Sequence, residues 1–275
     1  MGPLACGVVV DDLGAGVRAG ILRAATLGFD CVQLSCVHGE LQLGSLSESA
    51  RRGLRKFIAD RGLCLSAISA AYPQGLRDPD ANDRIVPAVC TFIRNARDVG
   101  ATIVTVRPGR VLSLASGDRG TRAVREALVD LTTCADAHGV LLAADVMTAD
   151  AVHLHGLLMS VASEALGANL DPGLVKADGG SALAAARLFG AIVQHVQVRQ
   201  CGGTTTLYDD IPWNECVAAL RDAGYCGCLS LARRPTAARI EAIEERVATL
   251  RAMAGGVPAA PPPEKTGTGE IQVPT

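Results

Sequence analysis

Two aspartates occupy positions where carboxylate chemistry is readily placed. Asp145 and Asp171 each end a short, mostly apolar run, the pattern of a strand that leaves a protein core. A carboxylate can move a proton on and off a substrate, and it can also bind a hard cation such as Mg²⁺. Charged residues at strand ends also cap the next helix or pair with an arginine. Both interpretations stay open for each aspartate.

Residues 193–200 place three polar side chains on one face of a predicted strand. Valines alternate with polar residues here, and successive strand side chains point to opposite faces. His195, Gln197 and Arg199 therefore share a face, which the interior of a closed parallel barrel can accommodate. We expect His195 to be a hydrogen-bonded core residue beside a ligand site. We expect Arg199 either to stabilise a substrate oxyanion or to form a salt bridge with Asp171.

Four arginines follow predicted strands. Arg107 and Arg110 flank Pro108-Gly109, and Arg233 and Arg234 follow the last predicted strand. Guanidinium groups bind carboxylates and phosphates through paired hydrogen bonds, so this set predicts an anion site. The competing interpretation is a group of solvated rim residues. We assign ligand binding to Arg107 and Arg233, together with His195 and Gln197.

The elements that would position these residues repeat eight times as an apolar run followed by an amphipathic segment. The predicted strands are residues 5–10, 31–35, 63–69, 102–107, 140–145, 168–171, 193–200 and 228–231, and the predicted helices are residues 17–27, 47–61, 83–99, 119–138, 149–163, 181–189, 212–223 and 237–254. Glycine follows nearly every predicted helix. This alternation predicts a single (β/α)8 TIM barrel over residues 1–254. The alternative, an open doubly wound sheet, lacks its G-x-G-x-x-G sequence.

The composition fits an aliphatic core and excludes some partners. Of the 275 residues, 49% are hydrophobic and 3% are aromatic, and the net charge is −2. A nearly neutral chain has no field that would draw it to nucleic acid or to an anionic membrane. No apolar run is long enough to span a bilayer. Residues 255–275, rich in Pro, Gly and Thr, predict a disordered tail.

The cysteines predict a reducing environment. Ten of them are scattered through predicted strands and helices, and no C-x-x-C pair occurs. We expect buried, reduced thiols that act as small hydrophobic residues. Reduced thiols and the lack of a signal-peptide pattern favour a cytoplasmic location.

Several short runs together resemble a known family. They are residues 27–34 (LGFDCVQL), 62–69 (GLCLSAIS), 106–109 (VRPG), 169–173 (NLDPG), 211–213 (IPW) and 224–227 (GYCG). Their order and spacing, from about residue 8 to about residue 250, resemble the xylose isomerase-like TIM barrels of the sugar phosphate isomerase/epimerase family. The resemblance implies the barrel fold and a site at its C-terminal mouth, and it leaves the activity open.

The resemblance also implies a divalent metal bound by Glu, Asp, His and Glu at the ends of the fifth to eighth strands. In this sequence those positions hold Asp145, Asp171, Gln197 and Ala232. Two carboxylates and an amide oxygen make at most a weak, vestigial site for Mg²⁺ or Mn²⁺. We expect no cofactor beyond such a weakly bound cation.

Two functions remain open. In the first, the chain is an isomerase, an epimerase or a related lyase that acts on a small polyol, a sugar acid or a sugar phosphate, with Asp145, Asp171 and Arg199 as catalytic residues. In the second, it is a pseudoenzyme that binds a small anion or another protein. The substituted metal ligands favour the second function, and the retained aspartates favour the first. A homo-oligomer is compatible with both.

Overall fold

A computed structural model describes residues 2–14, 16–37, 41, 43–199, 211–232 and 241–255. Side chains of residues 241–245 are not described. The predicted tail lies outside the described residues from position 256 onward, as do Arg233 and Arg234.

The strands form one closed parallel barrel in chain order, which confirms the predicted fold class. They are β1 (Ala5–Val9), β2 (Cys31–Ser35), β3 (Cys64–Ser69), β4 (Ile103–Val106), β5 (Leu141–Val146), β6 (Leu166–Leu170), β7 (Val193–Arg199) and β8 (Cys228–Ala232). The last strand pairs with the first, so the sheet has no free edge.

Helices surround the barrel and cover the outward faces of its strands. They are α1 (Gly16–Thr26), α2 (Glu48–Ala59), α3 (Pro79–Val99), α4 (Arg119–Ala137), α5 (Ala151–Val161), α6 (Pro172–Ala177), α7 (Ala182–Phe189), α8 (Trp213–Asp222) and α9 (Glu241–Met253). Buried aliphatic side chains such as Val8, Ile68 and Leu142 form the core. None of the helices in the described part of the chain is long and apolar enough to cross a membrane.

The inward faces of several strands are polar. The buried polar side chains on these strands are Gln33, Thr105, Asp145, Asn169, His195, Gln197 and Ser230. Their sequence neighbours, such as Val32, Leu170 and Leu229, are equally buried but apolar. This alternation follows from the two-residue period of a strand, with one face toward the helices and the other toward the barrel interior. The barrel therefore delivers polar groups to its axis.

The predicted start of one helix is wrong, and one short helix was not predicted. Helix α3 begins at Pro79 and not at residue 83, because Asp78 caps it, accepting a hydrogen bond from the Asp80 amide. No helix was predicted for residues 172–177, yet they form α6 directly after β6. In both places a capping aspartate is followed by proline at the first helical position, where a missing N–H is tolerated.

Two cysteines contradict the prediction that all ten are reduced. The structure pairs the sulfurs of Cys31 and Cys228, from β2 and β8, as a disulfide. Gly7 on the intervening strand makes this possible, since a Cβ there would lie 2.6 Å from the Cys228 sulfur and 2.8 Å from the Cys31 sulfur. Sequence spacing could not reveal this pair, because the two residues meet only when the barrel closes. Seven other cysteines in the described residues are free thiols.

Candidate functional site

Strand register brings the predicted residues of β5, β6 and β7 side by side. Asp145 pairs with Asn169 of β6, and Asn169 pairs with His195 of β7. Arg199, at the end of β7, pairs with Ala232 of β8. The carboxyl ends of all these strands open at the same end of the barrel, where TIM-barrel sites are built. Ala232, the residue at the eighth-strand position, is buried.

Arg199 is bound by two of the residues that were predicted to hold a metal. Its Nε donates to Asp171 Oδ2 at 2.8 Å, and its Nη2 donates to Gln197 Oε1 at 3.1 Å. The Asp171 side chain is only 2% exposed and that of Arg199 is 17% exposed, so this ion pair is screened little by water. The salt-bridge interpretation of Arg199 is therefore the observed one. We call Arg199, Asp171 and Gln197 the Arg199 cluster.

The charge of Arg199 is strongly stabilised. Burial alone favours the neutral form, but the charge of Asp171 and the hydrogen bond to it outweigh that effect, and Asp12 and Asp145 add to them. The net result raises the pKa of Arg199 above its ordinary value. The mouth therefore contains a permanent cation supplied by the protein.

Asp171 also caps a helix. Its Oδ1 accepts a hydrogen bond of 3.0 Å from the amide of Leu174, in the first turn of α6. Gly173 allows this turn to lie close to the end of β7, because a Cβ built on Gly173 would lie 2.5 Å from the main-chain oxygen of Arg199. Both carboxylate oxygens of Asp171 are thus engaged, one by a helix end and one by a guanidinium.

Gln197 connects the Arg199 cluster to β2. Its Nε2 donates to Gln33 Oε1 at 3.1 Å. The Nε2 atom of Gln33 is buried and has no hydrogen-bond partner among the described residues. A buried donor without a partner is unfavourable, so this atom is a natural point of contact for a ligand oxygen.

Asp145 differs from Asp171 because one of its oxygens is available. Oδ1 accepts a hydrogen bond of 2.7 Å from Asn169 Nδ2, and no described residue donates to Oδ2. Burial raises the pKa of Asp145 to about 6, although the hydrogen bond from Asn169 and the charge of Arg107 act in the opposite direction. Asp145 is therefore mostly ionised at neutral pH and accepts a proton more readily than an ordinary aspartate.

A chain of hydrogen bonds holds Asp145 from behind. Asn169 donates through Nδ2 to Asp145, so Asn169 Oδ1 accepts a hydrogen bond from His195 Nδ1, at 2.9 Å. That assignment leaves His195 Nε2 as the acceptor for the Ser230 hydroxyl, at 2.9 Å. Burial lowers the pKa of His195 to about 4, so the imidazole is neutral. We call these four residues the Asp145 chain.

The other members of the Asp145 chain position the Asp145 carboxylate and do not themselves reach a ligand. His195 and Ser230 are completely buried, so the hydroxyl cannot act as a nucleophile on a molecule in the mouth. Sequence reasoning missed Asn169, Ser230 and Gln33. The sequence could have indicated them as candidates, since each is a polar residue inside an otherwise apolar predicted strand.

Arg107 follows β4 and faces Asp145. Val106 pairs with Ala144, so the next residue on each strand, Arg107 and Asp145, are neighbours. The Nε atom of Arg107 is buried without a partner among the described residues. Arg110, by contrast, forms an ion pair of 2.8 Å with Asp150.

The comparisons with known proteins place the chain in a family. Residues 21–253 match the model of the xylose isomerase-like TIM barrel. The chain belongs to the xylose isomerase-like TIM barrel family. This result confirms the resemblance that the sequence runs indicated. No curated protein matches the sequence.

Solved structures share the fold of this xylose isomerase-like barrel. One is a xylose isomerase domain protein from Planctomyces limnophilus, with 18% identity and a TM-score of 0.75 over 91% of this chain and 96% of that one. Another is a D-psicose 3-epimerase with D-tagatose from Clostridium cellulolyticum H10, with 17% identity and a TM-score of 0.72 over 91% and 96%. A sugar phosphate isomerase/epimerase from Parabacteroides distasonis ATCC 8503 has 10% identity and a TM-score of 0.71 over 92% and 95%. At these identities the likeness concerns the fold.

In this xylose isomerase-like barrel the predicted metal ligands do not fit a divalent cation. The described residues contain no group of three His, Cys, Asp or Glu side chains that could bind a metal ion. Asp171 Oδ2 and Gln197 Oε1 both accept hydrogen bonds from Arg199, and Asp145 Oδ1 accepts one from Asn169. Each of the three side chains therefore has an oxygen bound to a hydrogen-bond donor, and the fixed guanidinium of Arg199 lies among them.

Proposed function

We propose that this protein is a sugar isomerase/epimerase-like enzyme that binds a small polyol, a sugar acid or a phosphorylated sugar at the C-terminal mouth of the barrel, and that it works without a divalent metal. One observation carries the proposal. Arg199 is hydrogen-bonded to Asp171 and Gln197, two of the predicted metal ligands. A permanent cation thus stands among the groups that would bind a metal.

Asp145 is the proposed base. Its free Oδ2 and its pKa near 6 suit it to remove a proton from a carbon beside a carbonyl group. The negative charge that develops on the substrate oxygen would be stabilised by the positive charge of Arg199 and by the unpaired Nε2 of Gln33. The role of the Asp145 chain is to fix the orientation of this carboxylate.

The availability of the two aspartates favours isomerisation over epimerisation. Epimerisation removes a proton from one face of a carbon and returns one to the other face, which calls for a group on each side. Asp171 has both oxygens engaged. In an isomerisation Asp145 alone can take the proton from one carbon and return it to the neighbouring carbon, while the hydroxyl proton passes to the former carbonyl oxygen.

The second candidate function is a non-catalytic barrel that binds a small anion or another protein. The observation in its favour is the same engagement of Asp171, which removes one of the two carboxylates the family resemblance would use. On this proposal Asp145 would be a binding residue, and no proton would leave the ligand.

Deuterium exchange distinguishes the two candidates. The purified protein is treated with chelator, its metal content is measured, and it is incubated in D2O with panels of aldoses, ketoses and 2-keto acids. We expect deuterium at the carbon beside the carbonyl of one substrate class with the wild type, and none with Asp145→Asn. Asp150→Asn, which removes the rim ion pair with Arg110, is the matched control and keeps the exchange.

Exchange that appears only after Mg²⁺ or Mn²⁺ is added would refute the metal-independent mechanism. Saturable binding of one panel member without exchange would instead establish the non-catalytic barrel. Exchange that survives in Asp145→Asn would assign the base to another residue.

A further inference from the structure

We infer that the ligand of this site carries a carboxylate group and that Arg107 binds it. The inference rests on the proposed function, because it names the substrate class of the same mouth. It separates sugar acids from neutral polyols and from sugar phosphates.

Arg107 differs from the other described arginines near this end of the barrel. Arg77 is paired with Asp118 at 3.1 Å, Arg110 with Asp150 at 2.8 Å and Arg199 with Asp171 at 2.8 Å. Arg107 has no carboxylate within salt-bridge distance among the described residues, and its Nε is buried without a hydrogen-bond partner. A buried guanidinium N–H without a partner is unfavourable, and a ligand anion would satisfy it.

A second unpaired group lies on the same face of β4. Thr105 is two residues before Arg107, so both side chains point into the barrel. Thr105 is 1% exposed, and its hydroxyl has no hydrogen-bond partner among the described residues. It pairs in register with Ala143. Thr105 in β4 and Arg107 just after it thus both offer unused donors.

The position of Arg107 relative to Asp145 fits a substrate that has an acid at one end. The two residues are neighbours across the β4–β5 pair, and Asp145 Oδ2 is available. A carboxylate bound by the planar fork of Arg107 would place the next carbons of the ligand beside that oxygen. The group that binds and the group that reacts would then be adjacent.

Charge balance favours a carboxylate over a phosphate. Arg107 lies near enough to Asp145 to lower the pKa of that carboxyl group, although burial raises it to about 6 overall, so an anion bound by Arg107 lies next to an acidic group. A carboxylate brings one negative charge to this position. A phosphate monoester carries nearly two charges at neutral pH and would be repelled more strongly by Asp145.

Binding measurements on matched ligands test the inference. Calorimetry compares three series of three to six carbons: aldonates, the corresponding neutral alditols and the corresponding sugar phosphates. We expect one aldonate to bind the wild type at least about tenfold more tightly than its alditol and its phosphate, as for a hydrogen-bonded charge pair. Arg107→Gln should remove this preference, and Arg107→Lys should restore part of it. Arg110→Gln, which alters an arginine already paired with Asp150, should keep it.

A wild type that binds no aldonate better than the matched alditol, or that prefers a phosphate, would overturn the inference. The wild-type series decides the question even if Arg107→Gln fails to fold. Asp145→Asn separates this inference from the proposed function, because the variant should lose exchange and keep the aldonate preference. If the wild type catalyses deuterium exchange but does not prefer an aldonate, only the inference of a carboxylate ligand is refuted. If it prefers an aldonate but catalyses no exchange, only the proposed catalysis is refuted.

Discussion

The ends of β5 and β6 carry the same residue type with opposite consequences. Asp145 keeps one oxygen free, has a pKa raised to about 6 and is held from behind by neutral groups. Asp171 is bound at both oxygens, by a helix amide and by Arg199. The first carboxylate is therefore available for a proton and the second is structural. The difference shows that a carboxylate at a barrel rim is defined by what already occupies its oxygens.

The largest expected effect comes from removing the structural carboxylate. Asp171→Ala removes the carboxylate that pairs with the Arg199 guanidinium and removes the cap of α6, so we expect a loss of about 3–5 kcal/mol in the free energy of unfolding. Urea unfolding measures it. Asp145→Asn at pH 7 should show no comparable loss, because an amide oxygen can still accept from Asn169. Equal losses in the two variants would show that the comparison is wrong.

Removing both partners of the buried ion pair provides the control for Asp171→Ala. The double variant Asp171→Leu with Arg199→Met replaces two charges by apolar groups of similar size. It should lose less stability than Asp171→Ala alone, because the two opposite charges are removed together.

The pH dependence of stability should separate the two buried titrating groups of the Asp145 chain. Burial raises the pKa of Asp145 from 3.8 to about 6, so the folded state holds more protons than the unfolded state between these pH values, and stability falls as pH rises through them. Burial lowers the pKa of His195 from 6.5 to about 4, so the contribution of His195 to the free energy of unfolding increases as pH rises over nearly the same range. In the wild type the two effects oppose each other.

Asp145→Asn removes one of these opposing effects. The free energy of unfolding of Asp145→Asn minus that of the wild type should increase by about 2–3 kcal/mol between pH 4 and pH 7. Urea unfolding at several pH values measures the difference, and Asp150→Asn should follow the wild-type curve. Parallel curves for Asp145→Asn and the wild type would mean that Asp145 has an ordinary pKa.

Sequence predicted the fold far better than the use of each site residue. Apolar periodicity and glycine positions determine strands and helices locally, and closure of the barrel follows from their alternation. The inward faces of His195, Gln197 and Arg199 followed from the two-residue period of a strand. Whether Asp171 was free could not be predicted, because its partners come from α6 and β7. The assignment of Arg233 to the ligand site stays a prediction, since that residue lies outside the described residues.

Gly173 tests the geometry on the Asp171 side. Gly173→Ala introduces a Cβ against the main-chain oxygen of Arg199, so α6 must move away from β7. We expect a loss of about 1–3 kcal/mol, as for other overpacked sites, measured by urea unfolding. Gly156→Ala is the control, because a Cβ there meets nothing within 4 Å and lies within a helix. A neutral Gly173→Ala would show that the Asp171–Arg199 contact does not depend on this close approach.

The smallest expected effect concerns conversion of the Arg199 cluster into a metal site. Gln197→His with Ala232→Glu supplies the two donors that are missing relative to the family pattern. While Arg199 is present it competes for Asp171, so we expect little Mn²⁺ binding. Adding Arg199→Ala should strengthen binding by about tenfold, or about 1.4 kcal/mol, in Mn²⁺ calorimetry. Equal affinities with and without Arg199 would show that the guanidinium does not occupy the metal position.

Residues 169–173 concentrate several tasks in five consecutive positions. Asn169 orients one carboxylate, Asp171 both caps a helix and binds a guanidinium, and Gly173 permits the close approach. If this segment were grafted into a relative together with an arginine at the end of the next strand, Asp171 would supply the counterion of that arginine. Exchange of single residues would instead leave a charge without its counterion or open a gap, so we expect transfer of all five residues to be tolerated better than transfer of one.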